Sequence, residues 1–135
     1  MDVTVTASMP CSADAVWLMI GPFDAIAKWH PAVERAELEE RGTRRRLHLV
    51  GGGSILEQLE SHDDAARNYS YSILEGPLPV RDYLSTLRVT RGEDGRTLVE
   101  WSSRFEPTVE PAEAERVIRG IYEAGLNNLH KMLES

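Results

Sequence analysis

Apolar and polar residues alternate through short segments of the first 105 positions, and beyond Pro107 the apolar spacing changes to three and four. A period of two places successive side chains on opposite faces of a strand, whereas a period near 3.6 gathers them on one face of a helix. Val3, Val5 and Ala7 therefore predict a first strand, which Met9-Pro10-Cys11 interrupts. Ser12 is placed to cap a short helix carrying Ala13, Ala15, Val16, Trp17, Leu18 and Ile20, and Gly21-Pro22 ends it. A second short helical turn is expected over 23–28, closed by Pro31. Strands follow at about 33–39, 44–49, 54–62, 68–74 and 83–90, with a last one near 97–105 after the turn Gly92-Glu93-Asp94-Gly95. Pro111 suits the first position of a helix, and Ala114, Ile118, Ile121, Gly125, Leu129 and Met132 give that helix one long apolar face. The predicted class is α+β: a curved antiparallel sheet of about seven strands gripping a long C-terminal helix, with two short helices near the N-terminus. One domain is expected over residues 1–135.

The inward faces of these strands are chemically mixed. Read in phase, Arg45 accompanies Leu47 and Leu49, Glu57 lies between Ile55 and Leu59, and Tyr69 and Tyr71 precede Ile73. Tyr83 and Ser85 precede Leu87 in the same way. Charged groups are seldom buried without partners, and ligand pockets are apolar concavities carrying a few convergent polar groups. The pattern thus predicts the wall of a pocket rather than a uniform core.

Composition narrows the ligand class. The 22 acidic against 15 basic residues leave a formal net charge of −7, which disfavours a general phosphate-backbone binder. The one dense basic run, Arg44-Arg45-Arg46, divides between two faces of its strand. A single cysteine, Cys11, excludes an intramolecular disulfide and a multi-cysteine zinc site. His30, His48, His62 and His130 lie on separate elements without metal-ligand spacing, so neither a metal nor a cofactor is expected. No stretch reaches the roughly 18 apolar residues of a membrane span and the first residues lack a secretory pattern, so the expected setting is the cytoplasm. Oligomeric state is left open.

Several segments together resemble the START-like, helix-grip superfamily. They are Ala15-Val16-Trp17 with Phe23-Asp24, Trp29-His30-Pro31, Glu57-Gln58-Leu59-Glu60 with Asp63-Asp64, Tyr69-Ser70-Tyr71-Ser72-Ile73, Pro77-Leu78-Pro79 with Tyr83, and Val99-Glu100-Trp101. Nearly the whole chain is covered, and it is most similar to the small bacterial polyketide cyclase/dehydrase-like subgroup. A more distant likeness to the plant abscisic-acid receptors implies a pocket closed by two loops, matching Gly51-Gly52-Gly53 and Pro77-Leu78-Pro79. It also implies that Glu57, Tyr83 and His30 stand at ligand-facing positions, with Gly125 where the receptors carry a pocket asparagine. The resemblance implies binding of a small hydrophobic molecule, cyclic or lipid-like, with a polyketide cyclase or dehydratase as the alternative.

The expected ligand-binding set is Trp29, His30, Arg45, Glu57, Tyr71, Leu78, Tyr83, Trp101, Phe105, Ile121 and Gly125. Glu57 has two open roles, a ligand-orienting acceptor or general base, and one half of a structural pair with Arg45. His30 is either a pocket-mouth donor or proton carrier, or only the cap of its short helix. Tyr83 is the preferred hydrogen-bonding tyrosine, while Tyr69 and Trp17 read as core. Trp101 and Phe105 divide between core and pocket lining. A serine hydrolase is disfavoured because no GxSxG elbow is present.

Overall fold

The computed structural model describes residues 1–92 and 94–134, so the expected turn at 92–95 includes one residue, Glu93, outside the described residues. Seven strands form one antiparallel sheet: β1 (Asp2–Met9), β2 (Val33–Glu39), β3 (Arg44–Leu49), β4 (Ser54–Asp63), β5 (Asn68–Glu75), β6 (Val80–Arg91) and β7 (Thr97–Pro107). Their spatial order is β1-β7-β6-β5-β4-β3-β2, so the final strand crosses back to pair with the first. Two short helices, α1 (Ala13–Ile20) and α2 (Ile26–Trp29), link β1 to β2, and α3 (Pro111–Glu134) closes the chain.

Local chemistry sets the limits of these elements. The Ser12 side chain accepts from the Ala15 backbone N–H and caps α1, as its position predicts. The second helix is shorter and later than expected, Ile26–Trp29 instead of 23–28, because Pro22 opens a preceding turn closed by the Ala25 N–H. Strand β6 starts three residues before Tyr83, at Val80. A register shift lies between Arg81 and Leu84, and Asp82 adopts a positive φ of 51° there. Such a bulge re-aims the chain, and beyond it Tyr83, Ser85, Leu87 and Val89 are buried in strict alternation. Two further shifts in the β4–β5 ladder, at Leu56/Glu57 and Leu59/Ser61, bend the middle of the sheet.

The curved sheet buries the inner face of α3. Ile118, Tyr122, Leu126 and Leu129 are buried on the helix, against Val3, Leu87, Val99 and Trp101 of the same core. Trp101 stacks on Tyr122 with ring centroids 4.3 Å apart and planes within 16°. This is the helix grip expected from the alternating strands and the terminal period of 3.6.

The two glycines inside α3 have different causes. A Cβ built on Gly125 would lie 2.6 Å from His30 Cδ2 and 3.0 Å from both the Trp29 and Trp101 rings. Gly120 is exposed and has open space around it. Gly125→Ala is therefore expected to destabilise by about 1–3 kcal/mol through overpacking against rings. Gly120→Ala should stabilise by up to about 1 kcal/mol through helix propensity. Urea denaturation of both variants measures the difference, and equal effects would contradict the packing assignment.

Candidate functional site

A cavity of about 220 Å³ lies between the sheet and α3. Its aliphatic wall includes Ile26, Val33, Leu47, Leu49 and Ile55, and its aromatic wall is Tyr71, Tyr83, Trp101 and Tyr122. Ile121 closes it from the helix, while Val50, Gly52 and Leu78 carry the lining to the two loops at one end of the sheet. Val50 is 63% exposed, so this end is the mouth. Gly51, Gly52 and Gly53 all hold φ near +90° to +110°, a region that side chains other than glycine rarely adopt, and this accounts for the triple glycine.

Glu57 faces this cavity and is only 4% exposed. It stands directly opposite Arg45 in the β3–β4 register, and the Arg45 Nε donates to Glu57 Oε1 at 2.8 Å. Arg45 is fully buried and does not line the cavity. Its Nη1 donates to the Phe23 carbonyl at 2.7 Å and to the Tyr69 hydroxyl at 3.1 Å, and its guanidinium lies 4.2 Å from the Phe23 ring centre. Among the described residues Arg45 Nη2 has no hydrogen-bond partner. The ion pair is thus held by one hydrogen bond where a guanidinium fork allows two. Burial pushes the Glu57 carboxyl above the usual carboxylate range, and Arg45 draws it partly back.

Beside this pair runs a chain of hydroxyls whose direction is fixed at one end. The Ser85 hydroxyl donates to the Ser102 carbonyl at 2.9 Å, which uses its only proton. Tyr122, 3.0 Å from Ser85 Oγ, must then donate to it, and Tyr83, in close hydrogen bond with Tyr122, must donate in turn. Tyr71 lies 3.4 Å from the Tyr83 oxygen and accepts from Trp101 Nε1 at 3.1 Å. Burial raises the pKa of all three phenols, that of Tyr122 to about 12, so they are neutral donors at physiological pH.

His30 reaches the cavity but is chemically occupied. Its Nδ1 accepts from the Ala32 N–H at 3.1 Å, which leaves Nε2 to carry the proton and donate to the Ile121 carbonyl at 2.8 Å. It is also the residue that ends α2. Burial lowers its pKa below 6.5; the Ile121 bond opposes this, and the Arg45 charge adds to it.

Seven of the eleven expected residues line the cavity: His30, Glu57, Tyr71, Leu78, Tyr83, Trp101 and Ile121. The other four stand behind the wall. Trp29 is wholly buried against Trp101, Phe105 packs on Tyr83, Arg45 braces Glu57, and Gly125 makes room for His30. Tyr122 lines the site and was not expected, although its place four residues after Ile118 puts it on the buried face. At the opposite end of the sheet lies a larger open depression of about 740 Å³, beside Arg67, Arg91 and Arg96. Arg67 pairs with Asp14 and Arg96 with Asp94, and the region has the character of a solvated surface. Among the described residues no cluster of side chains is suited to hold a metal ion, and no helix is long and apolar enough to cross a membrane.

Comparison with protein families matches residues 1–134 to the family described as polyketide cyclase / dehydrase and lipid transport. The chain belongs to this family. Solved structures similar to it include the protein XoxI from Bacillus cereus, 38% identical, with a TM-score of 0.96 over 99% of this chain and 96% of that one. An uncharacterised protein from Bacillus thuringiensis is 37% identical, with a TM-score of 0.96 and full coverage of both chains. The Zhui aromatase/cyclase from Streptomyces sp. R1128 shares the fold at 22% identity and a TM-score of 0.78, over 99% of this chain and 93% of that one. A comparison with curated protein sequences finds no match. The helix-grip fold and the polyketide cyclase-like grouping are thereby those of this chain.

The state of His30 has a measurable consequence. A histidine whose folded pKa is depressed contributes stability above its unfolded pKa of about 6.5 and loses that contribution as pH falls from there through the folded value. Unfolding free energies measured between about pH 7 and pH 5 should therefore fall less steeply for His30→Gln than for the parent chain. Parallel slopes would mean that His30 is not held neutral.

Proposed function

We propose that the chain binds a small, ring-containing hydrophobic molecule in the cavity between the sheet and α3. The observation that carries this reading is the lining itself, an aliphatic and aromatic wall interrupted by Glu57 and the tyrosine hydroxyls. Small-molecule sites have this composition, with few polar groups placed to orient the ligand. The volume of about 220 Å³ supports a compact ligand over a long-chain lipid, since cavities of roughly 150 Å³ accept benzene.

Binding is favoured over turnover by the state of the acid–base groups. A cyclase or dehydratase needs a side chain free to take or give a proton at the reacting atom. Both ring nitrogens of His30 are engaged, and the tyrosines are strongly raised in pKa. Glu57 is left as the one cavity group able to accept a proton, and it is already bonded to Arg45. The loops at 51–53 and 76–79 then act as a flexible flap against a firmer rim, because three glycines face a segment containing Pro77 and Pro79.

Native mass spectrometry of freshly purified protein, followed by denaturing extraction, should release a compact cyclic molecule. Hydrogen exchange with and without that molecule should show greater added protection at 51–53 than at 76–79. Protection confined to the surface depression beside Arg67 and Arg91 would place binding elsewhere and refute the cavity assignment.

A further inference from the structure

The polar end of the cavity has an unequal supply of donors and acceptors. Each hydroxyl has one proton, and those of Ser85, Tyr122 and Tyr83 are committed in sequence toward the Ser102 carbonyl. The Trp101 indole N–H is shared between Tyr71 and Ser85, at 3.1 Å from each. Of the hydroxyls that line the cavity, Tyr71 alone has a proton in a loose bond, 3.4 Å from the Tyr83 oxygen, at the limit of hydrogen-bond length; the Ser103 hydroxyl, without a hydrogen-bond partner among the described residues, does not line the cavity. On the acceptor side, Glu57 uses Oε1 for Arg45, and among the described residues no hydrogen bond reaches Oε2. Tyr71 and Glu57 both line the cavity, and the register that pairs Leu59 with Tyr71 puts them on neighbouring positions of one sheet face.

Charge complements this geometry. Among the cavity-lining residues Glu57 is the only formally charged one, and His30 is fixed in its neutral form. Arg45 lies behind the wall: its Nε and Nη1 bond Glu57, the Phe23 carbonyl and Tyr69, and its unpartnered Nη2 is buried and does not line the cavity. A ligand carboxylate would therefore meet a carboxylate and no accessible cation. Burying it there would add an unpaired charge to a low-dielectric site.

We propose that the cavity selects an uncharged ring ligand bearing a hydroxyl or similar head group that accepts a hydrogen bond from Tyr71 and donates one to Glu57 Oε2, and that it rejects the corresponding carboxylic acid. This rests on the binding role proposed for the same cavity. Phenols, enols and ring alcohols have the required head group, whereas free fatty acids and aryl carboxylates do not. Tyr122 and Ser85 are positioning residues in this scheme, since they consume the other hydroxyl protons and leave that of Tyr71 to the ligand.

The test uses 2-naphthol, 2-methoxynaphthalene and 2-naphthoate at neutral pH, where of the three only the last is charged, with the full chain and calorimetric or fluorescence titration. The parent protein should bind 2-naphthol at least about tenfold more tightly than either analogue, the scale of one lost charge-assisted hydrogen bond. In Glu57→Gln the preference for 2-naphthol over 2-naphthoate should fall by about tenfold. Tyr71→Phe should weaken 2-naphthol binding while its preference over 2-naphthoate persists. Equal binding of 2-naphthol and 2-naphthoate by the parent protein, or an unchanged preference in a folded Glu57→Gln variant, overturns the head-group assignment and leaves the binding role standing. Failure of all three compounds to bind the parent protein overturns both.

Discussion

Burial of Arg45 is the constraint around which the inner face of the sheet is organised. A guanidinium keeps its charge in any protein environment, so a fully buried one must be surrounded by acceptors and π-faces. Glu57, the Phe23 carbonyl and the Tyr69 hydroxyl accept from it, and the rings of Phe23, Tyr69 and Tyr71 lie around it. These partners come from the segment between α1 and α2 and from two strands, β4 and β5, next to Arg45's own β3. One side chain therefore ties the N-terminal connection to the middle of the sheet, and it also fixes the carboxylate that faces the cavity. Buried ion pairs are weak evidence for net stability. This pair sets position, holding one carboxylate oxygen and leaving the other without a hydrogen-bond partner among the described residues.

Polar order continues from Arg45 toward α3. Tyr69 receives one end of the guanidinium, Tyr71 lies against its face, and Tyr71 begins the hydroxyl chain that ends on the Ser102 carbonyl. Trp101 donates into that chain and stacks on Tyr122, so the terminal helix is joined to the sheet by rings and by directed hydrogen bonds. Directed bonds of this kind inside an apolar wall favour one arrangement, because each lost bond leaves a costly buried group. His30 adds a second tie, from the end of α2 to the Ile121 carbonyl, at the place where Gly125 permits close approach.

Much of this order is legible in the sequence because strand periodicity assigns faces. Arg45 and Glu57 each share phase with inward aliphatic residues, which is why their pairing and the inward position of Glu57 follow from the chain alone. The same rule does not separate residues that touch a cavity from those one layer behind it, and Trp29, Arg45, Phe105 and Gly125 fall in the second group. Tyr122 carries a usable signal in its spacing from Ile118 and Leu126, but a helix face through Ile121 and Gly125 lies one position away and leaves it out. The bulge at Asp82 depends on a positive φ at a non-glycine residue, which no local pattern marks. Likewise the tautomer of His30 is fixed by the Ala32 N–H and the distant Ile121 carbonyl, contacts that exist only after α3 has packed.

A double-mutant cycle on Arg45 and Glu57, using Arg45→Met, Glu57→Leu and the combined variant in urea denaturation, tests this account most directly. Each single substitution leaves an uncompensated buried group and should cost about 3–5 kcal/mol. The double variant should be far less destabilised than the sum of the two, by more than about 1.5 kcal/mol. Additive effects, or single losses below about 1 kcal/mol as for an exposed pair, would contradict the claim that this pair anchors the cavity wall.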